Sequence, residues 1–183
     1  RDVAVLVGSL RAASLSLRLA QALAALSAPR LSLRIVPIDL PLYNEDLDTD
    51  NPPQAWTDFR AAIRAAEAVL FVTPEYNRSI PGCLKNAIDV GSRPYGHNVF
   101  AHLPVAIASQ SPGAIGGFGA NHALRQALVF LDTVPMQQPE LYLSHSAEAL
   151  GDNGKVAGAT QKFLASFGEA FADWIDRHAR LRA

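Results

Sequence analysis

Val7-Gly8-Ser9-Leu10-Arg11-Ala12-Ala13-Ser14-Leu15-Ser16-Leu17 decides how this chain reads, because it joins an apolar β-branched run to a helix through a turn rich in anion-binding groups. Upstream, Asp-Val-Ala-Val-Leu-Val at positions 2–7 has the character of a parallel strand covered on both faces; downstream, Leu15, Leu19, Leu23 and Leu26 recur at helical spacing. A helix start leaves backbone N–H groups unpaired and carries partial positive charge. Hydroxyls from Ser9, Ser14 and Ser16 with the Arg11 guanidinium would complete an anion pocket there, which predicts a phosphorylated cofactor. The competing reading is an ordinary N-cap by Ser14 or Ser16 beside a surface Arg.

Outward from that junction, strand-like runs alternate with helix-length segments. Strands are expected at 33–38, 68–73, 104–109 and 134–143, and helices at 52–67, 80–90, 120–131 and 156–182. Asp48, Asp50 and Asn51 serve as start signals for the helix at 52–67. In the last helix Phe163, Leu164, Phe167, Phe171, Trp174 and Ile175 form one apolar stripe, read as core. Five strands and five helices in strict alternation predict an α/β, flavodoxin-like doubly wound five-stranded parallel sheet, order 2-1-3-4-5, with helices on both faces. Ligands then sit at the carboxyl ends of strands one, three and four.

The loop after the third strand, Thr73-Pro74-Glu75-Tyr76-Asn77-Arg78-Ser79-Ile80-Pro81-Gly82, is stiffened by two prolines. It presents backbone N–H groups, an Asn that both donates and accepts, and the flat face of Tyr76, all suited to the edge of an isoalloxazine or a nucleobase. The alternative is a turn capped by Ser79 with Pro81 in the first helical turn. Glu75 has no second carboxylate or His near it in sequence and is expected to be solvated, with no acid–base duty. After the fourth strand, residues 109–119 contain four glycines that allow close backbone approach to a ligand, a third wall of the site or else a flexible connection.

With 183 residues, 49% of them hydrophobic, the chain suits one domain spanning 1–183. Sixteen Lys plus Arg against seventeen Asp plus Glu leaves a formal net charge of −1, so neither nucleic acid nor an anionic membrane is expected as a partner. Apolar runs are strand-sized, short of the roughly 20 residues of a spanning helix. The single Cys83 forbids an intrachain disulfide, and the opening strand has no charged-then-apolar leader, so a cytoplasmic location is expected. The spacing of glycines matches no GxGxxG dinucleotide fingerprint, Asp89 stands where a low-molecular-weight phosphatase would need Arg, and the five histidines show no metal-binding pairing. No GxSxG elbow or Walker lysine loop is present.

Together the loops resemble the NADPH-dependent FMN reductase family, which includes flavodoxin-like quinone and chromate reductases. Gly8-Ser9-Leu10-Arg11 with Ser14 is similar to its phosphate loop. Pro74-Glu75-Tyr76-Asn77, Ser79-Ile80-Pro81-Gly82 and Leu84-Lys85-Asn86-Ala87-Ile88-Asp89 are similar to its central signature, and Ile115-Gly116-Gly117 and Leu124-Arg125-Gln126 extend the likeness. The resemblance implies FMN as cofactor and NADPH or NADH as electron donor. Ser9, Arg11, Ser14 and Ser16 would hold the phosphate, with Leu10 and Leu15 also binding the cofactor; Pro74, Glu75, Tyr76, Asn77 and Arg78 would border the isoalloxazine, and Ser111 would approach the ring. Ser16 stands where the family often has Asn. Val90 replaces a frequent Trp, a change expected to bear on the acceptor-pocket wall or a subunit contact, and Phe118 and Asn121 fall in a stretch often more polar.

From the same resemblance follow ping-pong transfer to a small-molecule acceptor (a quinone, chromate, an azo compound or free flavin) without a protein nucleophile, and a homodimer or homotetramer in which a neighbour roofs the flavin face. Backbone N–H groups of residues 76–79 would stabilise the reduced ring. The competing class is a flavodoxin-like electron carrier passing single electrons to protein partners; such carriers are usually strongly acidic, whereas this chain is nearly neutral and has arginines at 11, 78 and 93. A flavin-free domain that kept the sheet is a third possibility.

Overall fold

The structure, a computed structural model, describes residues 1–151, 156 and 158–178. Its elements run β1 (Asp2–Val7), α1 (Leu15–Ser27), β2 (Ser32–Ile35), a short 3-10 turn (Glu45–Leu47), α2 (Gln54–Arg64), β3 (Ala68–Thr73), α3 (Gly82–Ser92), β4 (Pro104–Gln110), α4 (Phe118–Phe130), β5 (Val134–Pro135), β6 (Leu141–Leu143), α5 (Ser146–Ala149) and α6 (Gly158–His178). The sheet is parallel in the order β2-β1-β3-β4-β5, with β6 also paired to β4.

Alternation along the central strands sorts side chains to two cores. Val3, Val5 and Val7 of β1 with Leu70 and Val72 of β3 meet Leu19 and Leu23 of α1 and Leu164, Phe167, Phe171 and Ile175 of α6. On the opposite face Leu6, Phe71 and Ile107 meet Trp56, Phe59 and Ile63 of α2, Leu84 and Ile88 of α3, and Leu124 and Leu128 of α4. Helices therefore cover both faces, and β1, β3 and β4 are buried along their length.

Several expected elements differ in extent, and proline accounts for most of it. The fifth strand is not continuous over 134–143: β5 pairs with Pro104 and Val105, β6 with Ala108, Ser109 and Gln110, and between them Met136 still donates to the Val105 carbonyl at 2.8 Å while Pro139 has no N–H to give. The sheet edge is thus two short strands in one place, and the chain has six strands and six α-helices among its described residues. Strand β2 stops at Ile35, before Pro37, and α3 starts at Gly82 because Pro81 forms its N-cap. Helix α2 is entered through Pro53 with no side-chain cap, so Asp48, Asp50 and Asn51 do not start it. Instead the Asp48 side chain is buried and forms a two-bond ion pair with Arg60, at 2.9 and 2.8 Å. In α6, Phe163 is partly exposed and Trp174 only partly buried, its Nε1 donating to the Val134 carbonyl at 2.9 Å. The expected helical residues 179–182 and residues 152–155 and 157 lie outside the described residues.

Candidate functional site

The carboxyl ends of β1, β3 and β4 open into a cleft of about 300 Å³ lined by Ser9, Arg11, Ser14, Leu15, Ser16, Pro74, Glu75, Tyr76, Gln110, Ser111 and Pro112. Three loops distant in sequence meet there because parallel strands deliver their following turns to one end of the sheet. Gly8 donates its N–H to Val72 of β3 at 2.8 Å, and a Cβ at that position would lie 3.1 Å from Thr73 Oγ1, so the first loop is laid directly against the third.

The four serine hydroxyls lining this cleft share one hydrogen-bonding state. Ser14 Oγ accepts from Leu17 N at 3.1 Å, Ser16 Oγ from Gln110 Nε2 at 2.9 Å, Ser111 Oγ from Gly113 N at 3.0 Å, and Ser9 Oγ from Arg11 N at a longer 3.4 Å. Each oxygen already accepts, and none of the four hydroxyl protons has an acceptor among the described residues. The cleft therefore offers donors. The N–H groups of Leu15 and Ser16 in the first turn of α1 add two more without acceptors among the described residues, and that turn contains no acidic residue. The exposed Arg11 guanidinium has no ion pair among the described residues. Ser14 is thus both the N-cap of α1 and a lining residue: capping uses its lone pair and leaves its proton free.

The lining carboxylate, Glu75, is turned toward a different task. Its Oε2 accepts from Ala120 N at 3.2 Å in the first turn of α4, and a Cβ at Gly119 would come within 3.0 Å of it. The expectation of a solvated Glu75 is corrected: the partly buried carboxylate serves the positive end of a helix. Beyond it, Tyr76 and Ser79 exchange backbone hydrogen bonds at 2.9 Å each way, with Asn77 and Arg78 between them at φ 51° and 64°. Two positive φ values make this a type I′ turn, a conformation Asn tolerates and Arg rarely adopts. The turn occupies the N–H groups of Tyr76 and Ser79, so the four donors expected from residues 76–79 reduce to those of Asn77 and Arg78, which have no acceptor among the described residues. Asn77 and Arg78 stand at the exposed tip and are not among the residues lining the cleft, while Leu10 lines two shallower neighbouring depressions.

Residues 109–119 supply the expected third wall through Gln110, Ser111 and Pro112, and not through their glycines. Gly116 (φ 63°) lies where a Cβ would be 2.7 Å from the Tyr142 backbone, and Gly117 (φ 77°) where it would be 3.0 Å from the Gln110 carbonyl. These glycines let α4 start close against β4 and β6 and are not among the residues lining the cleft. Val90 is fully buried and its carbonyl accepts from Arg60 Nε at 2.9 Å, so it bears on the core and on no exposed wall. Asn121 is also fully buried, donating to Ser109 Oγ and accepting from Arg125 Nε, whereas Phe118 is half exposed against the His122 ring. Gln110 and Pro112 fall within the wall expected at 109–119 but were not singled out as site residues. A Gln closing a strand whose first five residues are apolar, at the ligand-binding end of the sheet, is the signal that could have pointed to the first.

Fold, cleft position and donor chemistry agree with one family, whose profile, NADPH-dependent FMN reductase, matches residues 1–148. The chain belongs to that family. A quinone reductase from Pseudomonas putida is 58% identical over 175 residues, covering 95% of this chain and 94% of that protein. A 2-hydroxy-1,4-benzoquinone reductase from Burkholderia sp. is 45% identical over 94% of this chain and 95% of its own length. Among solved structures, FerB, a flavoenzyme NAD(P)H:(acceptor) oxidoreductase from Paracoccus denitrificans, superposes with a TM-score of 0.92 at 44% identity, covering 97% of this chain and 98% of that one. Family membership makes the chain an oxidoreductase of flavodoxin-like fold. Among the described residues no helix is long and apolar enough to cross a membrane, and no cluster of His, Cys, Asp or Glu could hold a metal ion.

Proposed function

We propose that this chain is an FMN-dependent NAD(P)H oxidoreductase, one FMN-binding domain spanning residues 1–183, that passes electrons by ping-pong alternation to quinones or other small acceptors such as chromate, azo compounds or free flavin. The concentration of free donors in the cleft carries the reading. FMN ends in a phosphate made of acceptors and carries further acceptors along one ring edge, so its hydrogen-bonding pattern complements four free hydroxyl protons and the unpaired amides of α1.

Ser9, Ser14 and Ser16, with Arg11 and the N–H groups of Leu15 and Ser16, would hold the phosphate, and Leu10 would carry the backbone between them. Pro74, Tyr76 and Ser111 would flank the ring, with the free amides of Asn77 and Arg78 available to its acceptor edge. When bound, FMN supplies the two-electron chemistry, accepting hydride from a nicotinamide and returning electrons to an acceptor. The protein's part is to orient it and leave one face open; Tyr76 stays half exposed beside the cleft. Glu75, held at α4, takes no proton in this scheme. A homodimer or homotetramer located in the cytoplasm completes the proposal, its subunit number to be read by sedimentation.

Steady oxidation of NADPH or NADH by the FMN-loaded chain with a soluble quinone, and with no partner protein present, is the expected result. An FMN-loaded sample whose flavin absorbance is not bleached anaerobically by either nicotinamide would overturn the proposal.

A further inference from the structure

Behind the Ser16 hydroxyl runs a buried relay. Ser146 Oγ of α5 donates to Gln110 Oε1 at 2.5 Å, and Gln110 Nε2 donates to Ser16 Oγ at 2.9 Å. All three residues are at least nine-tenths buried, with exposures of 0% for Ser146, 3% for Gln110 and 1% for Ser16. They come from α5, β4 and α1, so only the folded chain brings them together.

The direction of this relay follows from its chemistry. A separation of 2.5 Å lies in the O–H···O range and 2.9 Å is typical of N–H···O, so the two lengths assign the amide oxygen to Ser146 and the nitrogen to Ser16. Turning the amide over would point its oxygen at Ser16 and consume that proton. It would also leave the Ser146 proton without an acceptor in a residue with no solvent exposure. Ser146 itself is anchored, its N–H donating to the Ser111 carbonyl at 3.1 Å, and the preceding His145, the N-cap of α5, donates its N–H to the Gly113 carbonyl at 3.0 Å. The same anchorage holds the Ser111–Pro112 wall of the cleft.

We infer that Gln110 and Ser146 are positioning residues that fix the Ser16 hydroxyl as a donor into the cleft, and so make this chain discriminate a phosphorylated flavin from its unphosphorylated counterpart. The inference rests on the FMN reading above. A phosphate dianion can only accept, and it meets hydroxyls and amides that each keep a proton to donate. Riboflavin ends in a hydroxyl that satisfies fewer of those donors and brings a proton of its own. Ser16 lines the cleft, but the group that decides which way its proton faces lies one residue deeper, and the group that decides the orientation of that amide lies deeper again.

The test titrates FMN and riboflavin separately into flavin-stripped full-length chain and follows flavin fluorescence. Ser146→Ala frees the Gln110 amide to turn and is expected to raise the Kd for FMN about three- to tenfold, with riboflavin affinity unchanged within about twofold. Ser146→Thr, which keeps the hydroxyl, is expected to restore FMN binding. Gln110→Glu offers oxygens to both serines and adds negative charge, and is expected to weaken FMN about tenfold or more while affecting riboflavin less. If one variant fails to fold, the other gives the same reading. Equal loss for both flavins, or no loss for FMN, would overturn the inference. A parent protein that binds neither flavin would instead overturn the FMN proposal on which it stands.

Discussion

Replacing Arg11 by Ala tests the anion pocket at its most separable point. In the structure the guanidinium is exposed and has no ion pair among the described residues, so its removal breaks no internal bond and leaves the fold intact. A charge-assisted hydrogen bond contributes about 1.5–3 kcal/mol in favourable settings, but an exposed ion pair is screened to about 1 kcal/mol or less. Arg11 lies between these limits, exposed yet beside the first turn of α1, so about 1–1.5 kcal/mol of FMN affinity is expected from it, a five- to twelvefold rise in Kd. Because the interaction is electrostatic and reached by solvent, the penalty should shrink toward about twofold when salt is raised from about 0.05 M to about 0.5 M. Arg11→Lys keeps the charge and loses the fork, and should fall between. Fluorescence titration of FMN at the two salt concentrations reads all three proteins. An Arg11→Ala protein that binds FMN like the parent at low salt, or whose penalty is the same at both salts, refutes the reasoning.

Other outcomes follow from the same geometry. Arg60→Ala leaves the buried Asp48 carboxylate uncompensated, and urea denaturation should show a loss of about 3 kcal/mol or more. Gly117→Ala forces a side chain into φ 77° within 3.0 Å of the Gln110 carbonyl, and is expected to lower stability by about 2 kcal/mol and to weaken FMN binding through Gln110; unchanged melting and binding would argue against that contact. Glu67 has its pKa held below the usual carboxylate value, first by the Asp2 N–H at 2.7 Å and also by Arg1. Its contribution is therefore present above the ordinary Glu pKa and is lost as pH falls through the lowered one, so Glu67→Gln should flatten the acid limb of a stability profile. Burial, reinforced by Glu140, pushes the Tyr142 phenol up to about 12. Stability assigned to it declines as pH rises above the ordinary tyrosine value, and Tyr142→Phe should remove the latest step of an ultraviolet alkaline titration.

The parts of this protein readable along the chain are those in which neighbours in sequence supply the signal. Val3 to Val7 and Ala68 to Thr73 are continuous apolar runs because both faces of the sheet are covered, and that property belongs to each run alone. Ser14 caps the helix that its spacing announces, and the Pro74–Tyr76 segment reaches the cleft as its position after β3 implies. Local pattern misled where a residue's partner was distant. Asp48 looked like a helix starter and is the buried partner of Arg60, twelve residues on; Glu75 looked solvated and is bonded to Ala120; Gly116 and Gly117 looked ready for a ligand and are pressed against Tyr142 and Gln110.

Sequence alone determined the doubly wound order, the two-sided cores and the three loops that bear on the site, because periodicity and strand-end position are local quantities repeated along one chain. Tertiary structure alone decided the direction of each hydrogen bond in the cleft: which hydroxyls accept and so keep a proton free, which amides the Tyr76–Ser79 turn occupies, and that Ser16, Gln110 and Ser146 form one relay. A hydroxyl can donate or accept, and its residue type is the same in both cases. The choice is made by whatever polar group folding brings beside it, here from 94 and 36 residues away along the chain.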